Sequence, residues 1–227
     1  MEKSIMKAKL LSYSRAPDEG EFGELTDIQD LVAYAARVSN PSNQMNTETS
    51  EKLLNYLAKH KHWSPFEMVS ICMEIETTRD IARQLLRHRS FSFQEFSQRY
   101  ADPTTDLEFV TREARLQDLK NRQNSIEVED SELQRHWEVQ QNGVIHAAQM
   151  AYEWAVGKGI AKEQARAVLP EGLMVSRLYV NGTLRSWMHY IDLRSSNGTQ
   201  KEHIELAQEV ARAIHLIYPN IDKYVNS

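Results

Sequence analysis

From Val69 to Glu76 apolar and polar residues alternate without a break, with Val69, Ile71, Met73 and Ile75 on one side and Ser70, Cys72, Glu74 and Glu76 on the other. Side chains of an extended strand point alternately to opposite faces, so this period of two predicts a half-buried strand. One-sided burial is the habit of antiparallel sheets, because parallel sheets are covered on both faces. The rest of the chain must therefore supply a layer over one face. At 227 residues it is long enough to bury a full core. The expected class is α+β, an antiparallel sheet flanked by helices, as a single domain over 1–227.

The flanking segments carry the signals for that layer. Lys7 to Ser14 reads as a strand ending at Pro17-Asp18-Glu19-Gly20, and Leu173 to Val180 as another, closed by an Asn181-Gly182 turn. Thr26-Asp27-Ile28-Gln29 has the form of a capping box, followed by Leu31, Val32, Ala35 and Val38 on one helical face and stopped by Ser39-Asn40-Pro41. Further helices are predicted from about Thr49 to His60, Thr78 to His88, Leu133 to Val156, Ile160 to Leu169 and Thr183 to Leu193. A last helix is expected between a second capping box, Thr199-Gln200-Lys201-Glu202, and Pro219. Thr111 to Glu132 is rich in charged and amide side chains and reads as a solvated helix plus a mobile connection.

Composition excludes several functions. A net charge of −5 argues against a broad nucleic-acid footprint, so an anionic ligand would have to be met by a local arginine cluster. The single cysteine, Cys72, rules out an intrachain disulfide and fits a reducing compartment. Windows long and apolar enough for a signal peptide or a membrane span are missing, and the chain is read as cytoplasmic, with no membrane partner. His60 and His62 have no cysteine or third ligand nearby and are read as loop residues, with no metal expected; Pro65 should keep Ser64 out of helical geometry.

The segment that resists a purely structural reading is Arg87-His88-Arg89-Ser90-Phe91-Ser92-Phe93-Gln94-Glu95-Phe96-Ser97-Gln98-Arg99. Consecutive helical residues point about 100° apart, so the first three can converge on one ligand only if the helix ends among them. Beyond that end, an extended segment would place Glu95, Ser97 and Arg99 on one face. Guanidinium groups bind phosphate in a bidentate way, a hydroxyl adds a further bond, and a carboxylate accepts from sugar hydroxyls. Another reading is a nucleic-acid-binding module, with the arginines on phosphates and Phe91, Phe93 and Phe96 as stacking platforms.

Arg-His-Arg, seven residues, Ser, one residue, Arg resembles the signature of the flavin-dependent thymidylate synthases, with Arg87, His88, Arg89, Ser97 and Arg99 in its positions. The resemblance extends to Ala35-Ala36-Arg37-Val38-Ser39, His62 to Glu67, Ala165 to Pro170 and Arg185 to Arg194. It implies a homotetramer with sites shared between subunits, binding FAD, dUMP, methylene-tetrahydrofolate and NADPH, and acting as a methyltransferase that makes thymidylate. By position it implies flavin contacts at Ser64, Arg87, His88, Arg89, Glu95, Thr183, Arg185 and His189. Nucleotide contacts are implied at Gln84, Arg87, Glu95, Ser97, Arg99 and Arg166, with Arg194 as the catalytic group on the uracil ring. Gly198 stands where some members have a flavin-contacting histidine. Cys72 has no neighbouring cation in sequence to activate it, so no enzyme nucleophile is expected.

Overall fold

A computed structural model describes residues 5–225, so residues 1–4 and 226–227 of the expected 1–227 domain lie outside the described residues. In chain order the elements are β1 (Lys7–Tyr13), α1 (Ile28–Ala36), α2 (Ser50–Lys59), β2 (Ser70–Thr78), α3 (Arg79–Leu85), β3 (Phe91–Glu95), α4 (Pro103–Asp106), β4 (Arg115–Gln117) and β5 (Ser125–Glu127). The long α5 (Ser131–Gly157) follows, then α6 (Lys162–Ala165), β6 (Val175–Thr183), α7 (Leu184–Arg194) and α8 (Lys201–His215).

Four strands form one antiparallel sheet in the order β1-β2-β6-β3. The alternation in β2 is realised as expected: Ile71, Met73 and Ile75 are fully buried, while Cys72, Glu74 and Glu76 face the half-open side. Leu178 and Val180 of the neighbouring β6 continue that apolar face, and Trp187 and Ile191 of α7 with Leu206, Val210 and Ile214 of α8 join it in one core. A smaller cluster of Tyr152, Ala155, Ala165, Leu169 and Met174 anchors α5 to α6. Trp137, Val144, Met150 and Trp154 on α5 are exposed.

Several local expectations are corrected. β6 runs straight through Asn181-Gly182, because as a central strand it is paired there on both edges, Gly182 facing Ile71 on one side and Phe91 on the other. A turn motif loses to ladder bonds on two sides. Residues 111–132 hold no helix before Ser131; β4 and β5 form a small antiparallel pair joined by a turn in which the Asp118 carboxylate accepts from the backbone of Lys120 and Asn121. The first capping box is replaced by Asp27, whose side chain accepts from the Asp30 backbone at 2.9 Å, and α1 ends before Val38, which is 69% exposed. At α8 the cap position falls on Gln200, whose amide is engaged elsewhere, and the Thr199 hydroxyl donates to the Leu193 carbonyl instead. Ser64 opens a single 3-10 turn, Ser64–Glu67, in which Pro65 takes an early position where a missing N–H costs nothing. The helix expected over 160–169 is broken into α6 and a 3-10 turn, Arg166–Val168.

Candidate active site

α3 is only seven residues long, and its last turn tightens: the backbone of Arg87 donates to Gln84 and that of His88 to Leu85. The helix thus stops at Leu85, just before the expected end among Arg87, His88 and Arg89, because the chain must reverse to start β3 at Phe91. This frees Arg87, His88 and Arg89 from helical spacing. Arg87 and Arg89 are exposed, whereas His88 is drawn inward.

Gln84, His88 and Arg194 come together. Arg194, in the last turn of α7, donates from Nε to His88 Nε2 at 3.0 Å. His88 also meets the edge of Tyr190, one turn earlier on the same helix, at 5.2 Å between ring centres. Burial, reinforced by the Arg194 cation, holds His88 down at about 4, so near neutrality it is an uncharged acceptor for the guanidinium. Arg194 itself is pulled below the usual arginine range by burial, with Tyr190 acting the other way and Arg87 adding to the fall, yet guanidinium remains a cation in proteins. Among the described residues no salt bridge to a carboxylate is formed by Arg194, which leaves a half-buried cation held through Nε.

Behind this group lie residues that the sequence reading did not single out. His203 of α8 is fully buried, with Nε2 3.2 Å from the Tyr190 hydroxyl and Nδ1 3.2 Å from Gln84 Oε1. Gln84 Nε2 in turn donates to Gln200 Oε1 at 2.9 Å. The available signal was a histidine in register with the apolar stripe Leu206, Val210 and Ile214.

A second group gathers around a cleft of about 490 Å³ lined by Arg79, Arg83, Gln98, Glu163, Arg166 and Glu171 among others. Glu95 Oε1 accepts from Arg79 Nη1 at 3.1 Å and from the Ser176 hydroxyl at 3.0 Å, and Arg99 pairs with Glu163 at 3.1 Å. Arg79, opening α3, is 7% exposed and was missed because a basic first turn looks like ordinary solvated surface. The expected face of Glu95, Ser97 and Arg99 does not form. β3 ends at Glu95, the Phe96 backbone makes one last bond to Arg177, and the Ser97 carbonyl then accepts from Tyr100 and Ala101 in a turn. The strand cannot continue because the next place along β6 is taken: the Val175 backbone donates to Glu108, and Phe109 bridges to Met174. Gln84 projects about 100° around α3 from Arg83, so the two groups occupy different sides of this helix.

The third group lies at the start of α7. Thr183 caps the helix by accepting from the Ser186 backbone at 3.2 Å, and the Ser186 hydroxyl donates to the Ser90 carbonyl at 3.3 Å, fastening the Arg87–Arg89 loop to this end. Arg185 pairs with Glu67 of the 3-10 turn that Ser64 begins. His189 sits edge-on to Trp63 at 4.7 Å, its pKa lowered by burial and then by Arg185. Arg185 and the N-terminus of α7, with the Arg87–Arg89 loop fastened beside them through Ser90, offer cationic and N–H donors of the kind that meet phosphate.

The stacking-platform reading of the phenylalanines does not hold. Phe91 is 8% exposed and packs on Trp187 with ring centres 4.5 Å apart, and Phe93 and Phe96 are half-buried. β3 turns its aromatic side inward because that is where the core lies. Cys72 stands mid-strand opposite Ser12 and Asn181, its thiol pushed up by burial. Among the described residues no cluster of three or more His, Cys, Asp or Glu is placed to hold a metal, and no helix is long and apolar enough to cross a membrane.

Comparison with known proteins gives one result. Residues 23–220 match the family model described as thymidylate synthase complementing protein. A probable flavin-dependent thymidylate synthase of Paramecium bursaria Chlorella virus 1 is 46% identical over 218 residues, covering 96% of this chain and 98% of the viral one. A flavin-dependent thymidylate synthase of Synechocystis sp. is 47% identical over 199 residues, covering 88% of this chain and 90% of its own. The same architecture is found in the crystal structure of a UMP/dUMP methylase, PolB from Streptomyces cacaoi, bound with 5-Br dUMP, at a TM-score of 0.79 and 24% identity over 98% of this chain and 95% of that chain.

Proposed function

The chain belongs to the flavin-dependent thymidylate synthase family, and on that premise we propose that it converts dUMP to dTMP with methylene-tetrahydrofolate as carbon donor and NADPH as reductant, without an enzyme nucleophile. The cofactor of this family is FAD. Arg185 at the start of α7 and the Arg87–Arg89 loop fastened to it fit that group: Arg87, Arg89 and Arg185 would meet its pyrophosphate, with Ser64, His88, Glu95, Thr183 and His189 as the other contacts. When bound, the flavin supplies hydride to the pyrimidine. Thr183 would contribute through its backbone, since its hydroxyl caps the helix.

The observation that carries the proposal is the Arg194–His88 pair. A guanidinium whose Nε is tied down by a neutral imidazole presents its outer nitrogens in a fixed plane, suited to N3 and an adjacent carbonyl of uracil. Positive charge held there favours the ionised ring and makes C5 more nucleophilic with no covalent bond to the protein. A protonated His88 would repel Arg194 and scatter that geometry, so the depressed histidine belongs to the mechanism. Gln84 and Arg87 would hold the nucleotide beside Arg194, while Glu95, Ser97, Arg99 and Arg166 would bind its sugar and phosphate from the second cleft.

Those two groups lie on different sides of α3, which supports sites shared between copies of the chain in a homotetramer. The exposed Trp137, Val144, Met150 and Trp154 on α5 offer apolar surface for such an assembly. Its place in the cell would be the cytoplasm.

Arg194→Ala tests the proposal. The purified variant should stay yellow with bound FAD and lose at least a hundredfold in release of tritium from [5-3H]dUMP in the presence of methylene-tetrahydrofolate and NADPH. Undiminished release from the variant would refute the role of Arg194; a colourless wild-type protein that releases no tritium would refute the function.

A further inference from the structure

The buried polar groups behind Gln84 form a continuous series with only one permitted direction. It begins at Glu202, a carboxylate 9% exposed that is paired with Arg115. Burial works against its ionisation, but the hydrogen bond from Arg115 and one from its own backbone outweigh it, and its pKa lies below the ordinary value. An ionised carboxylate only accepts, so Gln200, 2.9 Å away, must present Nε2 to it and Oε1 to the other side. Gln84 must then give Nε2 to Gln200, which turns its Oε1 toward His203. His203 must carry its proton on Nδ1, leaving Nε2 to accept from the Tyr190 hydroxyl. One charged end thereby sets two amide orientations, one imidazole tautomer and one hydroxyl rotor.

Resting on the nucleotide site proposed above, we infer that His203 is a positioning residue, which locks the Gln84 amide in one orientation toward dUMP through a directional relay running from Tyr190 to Glu202. Each end of an amide can serve two partners, so a locked Gln84 shows the ligand one remaining N–H and one remaining lone pair in fixed places. A freely rotating amide would offer both patterns, and part of the binding energy would go into choosing one. The groups packed around His203 leave it no other role in charge. Tyr190 and Arg194 approach from α7, Gln84 from α3 and His88 from the turn after it, and full burial beside the Arg194 cation keeps the ring neutral. Tyr190 also touches His88, so the relay ends against the imidazole that orients Arg194.

The test has two arms. In protein labelled with [15N]histidine, the His203 ring, assigned by its loss in His203→Leu, should show a protonated Nδ1 and a bare Nε2 from pH 6 to 8. The opposite tautomer, or titration within that range, overturns the proposal whatever the nucleotide does. In FAD-loaded protein, calorimetry should give His203→Leu about a three- to tenfold weaker affinity for dUMP, the equivalent of one hydrogen bond. His203→Gln, which keeps a donor and an acceptor, should restore affinity to within about twofold of wild type, a rescue expected of one hydrogen bond's worth. In a Gln84→Ala background His203→Leu should have no further effect, because nothing is left to position. An equal loss in both backgrounds would mark His203 as merely structural and overturn the inference. Wild-type protein with the expected tautomer but no affinity for dUMP would refute the proposed function and this role with it, whereas normal affinity with the wrong tautomer refutes only the relay.

Discussion

Gly182→Ala should be destabilising even though the substitution removes a flexible residue from the middle of a strand. Gly182 lies in β6 between Ile71 and Phe91, and a Cβ added there would sit 2.3 Å from Phe91 Cδ1 and 2.5 Å from Cε1. Ordinary carbon contacts are about 3.5–4.0 Å, so the ring would have to move by more than about 1 Å. It has little room to do so, being 8% exposed, packed at a tilt against Trp187 at 4.5 Å and near Phe93 at 6.1 Å between ring centres. Replacing a strand glycine normally stabilises by roughly 0.5–1 kcal/mol, while overpacking a core costs about 1–3 kcal/mol. Overpacking wins, and the net loss should be about 1–2 kcal/mol, or about 2–8 °C in Tm for a chain of this size. Thermal unfolding followed by circular dichroism measures it. The cause is checked by Phe91→Ala, which removes every atom beyond Cβ: in that background the alanine at 182 should cost nothing more. Gly182→Ala melting at or above wild type, or adding its full penalty to that of Phe91→Ala, would refute the reasoning.

Cys72→Ala should keep tritium release within about twofold of wild type, because the thiol stands mid-strand with a raised pKa and no activating base; loss of turnover in a folded variant would show that a nucleophile is needed. Acid should weaken the fold through His203 and His88, held near 3 and 4 by burial and, for both, the Arg194 cation. The unfolded chain binds protons first as pH drops below about 6.5, so the stability is present above that pH and is lost as pH falls toward the folded values; between pH 7 and 5 His203 alone accounts for roughly 2 kcal/mol. Urea midpoints should therefore fall across that interval in wild type and fall less in His203→Leu, and parallel slopes would contradict this. Arg79→Leu should cost about 2–3 kcal/mol by stranding the Glu95 carboxylate beside Ser176, and adding Glu95→Gln should recover part of it in urea titrations; no recovery would mean that Arg79 acts by packing.

What the sequence determined by itself was whatever follows from local period and residue chemistry. The alternation Val69–Glu76 set a one-faced strand, apolar spacing set α2, α5, α7 and α8 to within a few residues, and the spacing of Arg87, His88, Arg89, Ser97 and Arg99 pointed to the segment proposed above as part of a ligand site. Where two local signals competed, the tertiary structure chose between them. Asn181-Gly182 is a turn in isolation and a strand once β2 and β3 pair on either side, and Gln200 gives up a capping role because Gln84 and Glu202 claim its amide. The division of the arginines into a group with Arg194 and a group with Arg166 was also invisible in the chain, since it depends on which side of α3 each residue leaves. Nor could spacing reveal that His203, over a hundred residues from Gln84, would fix its amide, because a hydrogen bond is decided by where two atoms end up and not by how far apart they are written.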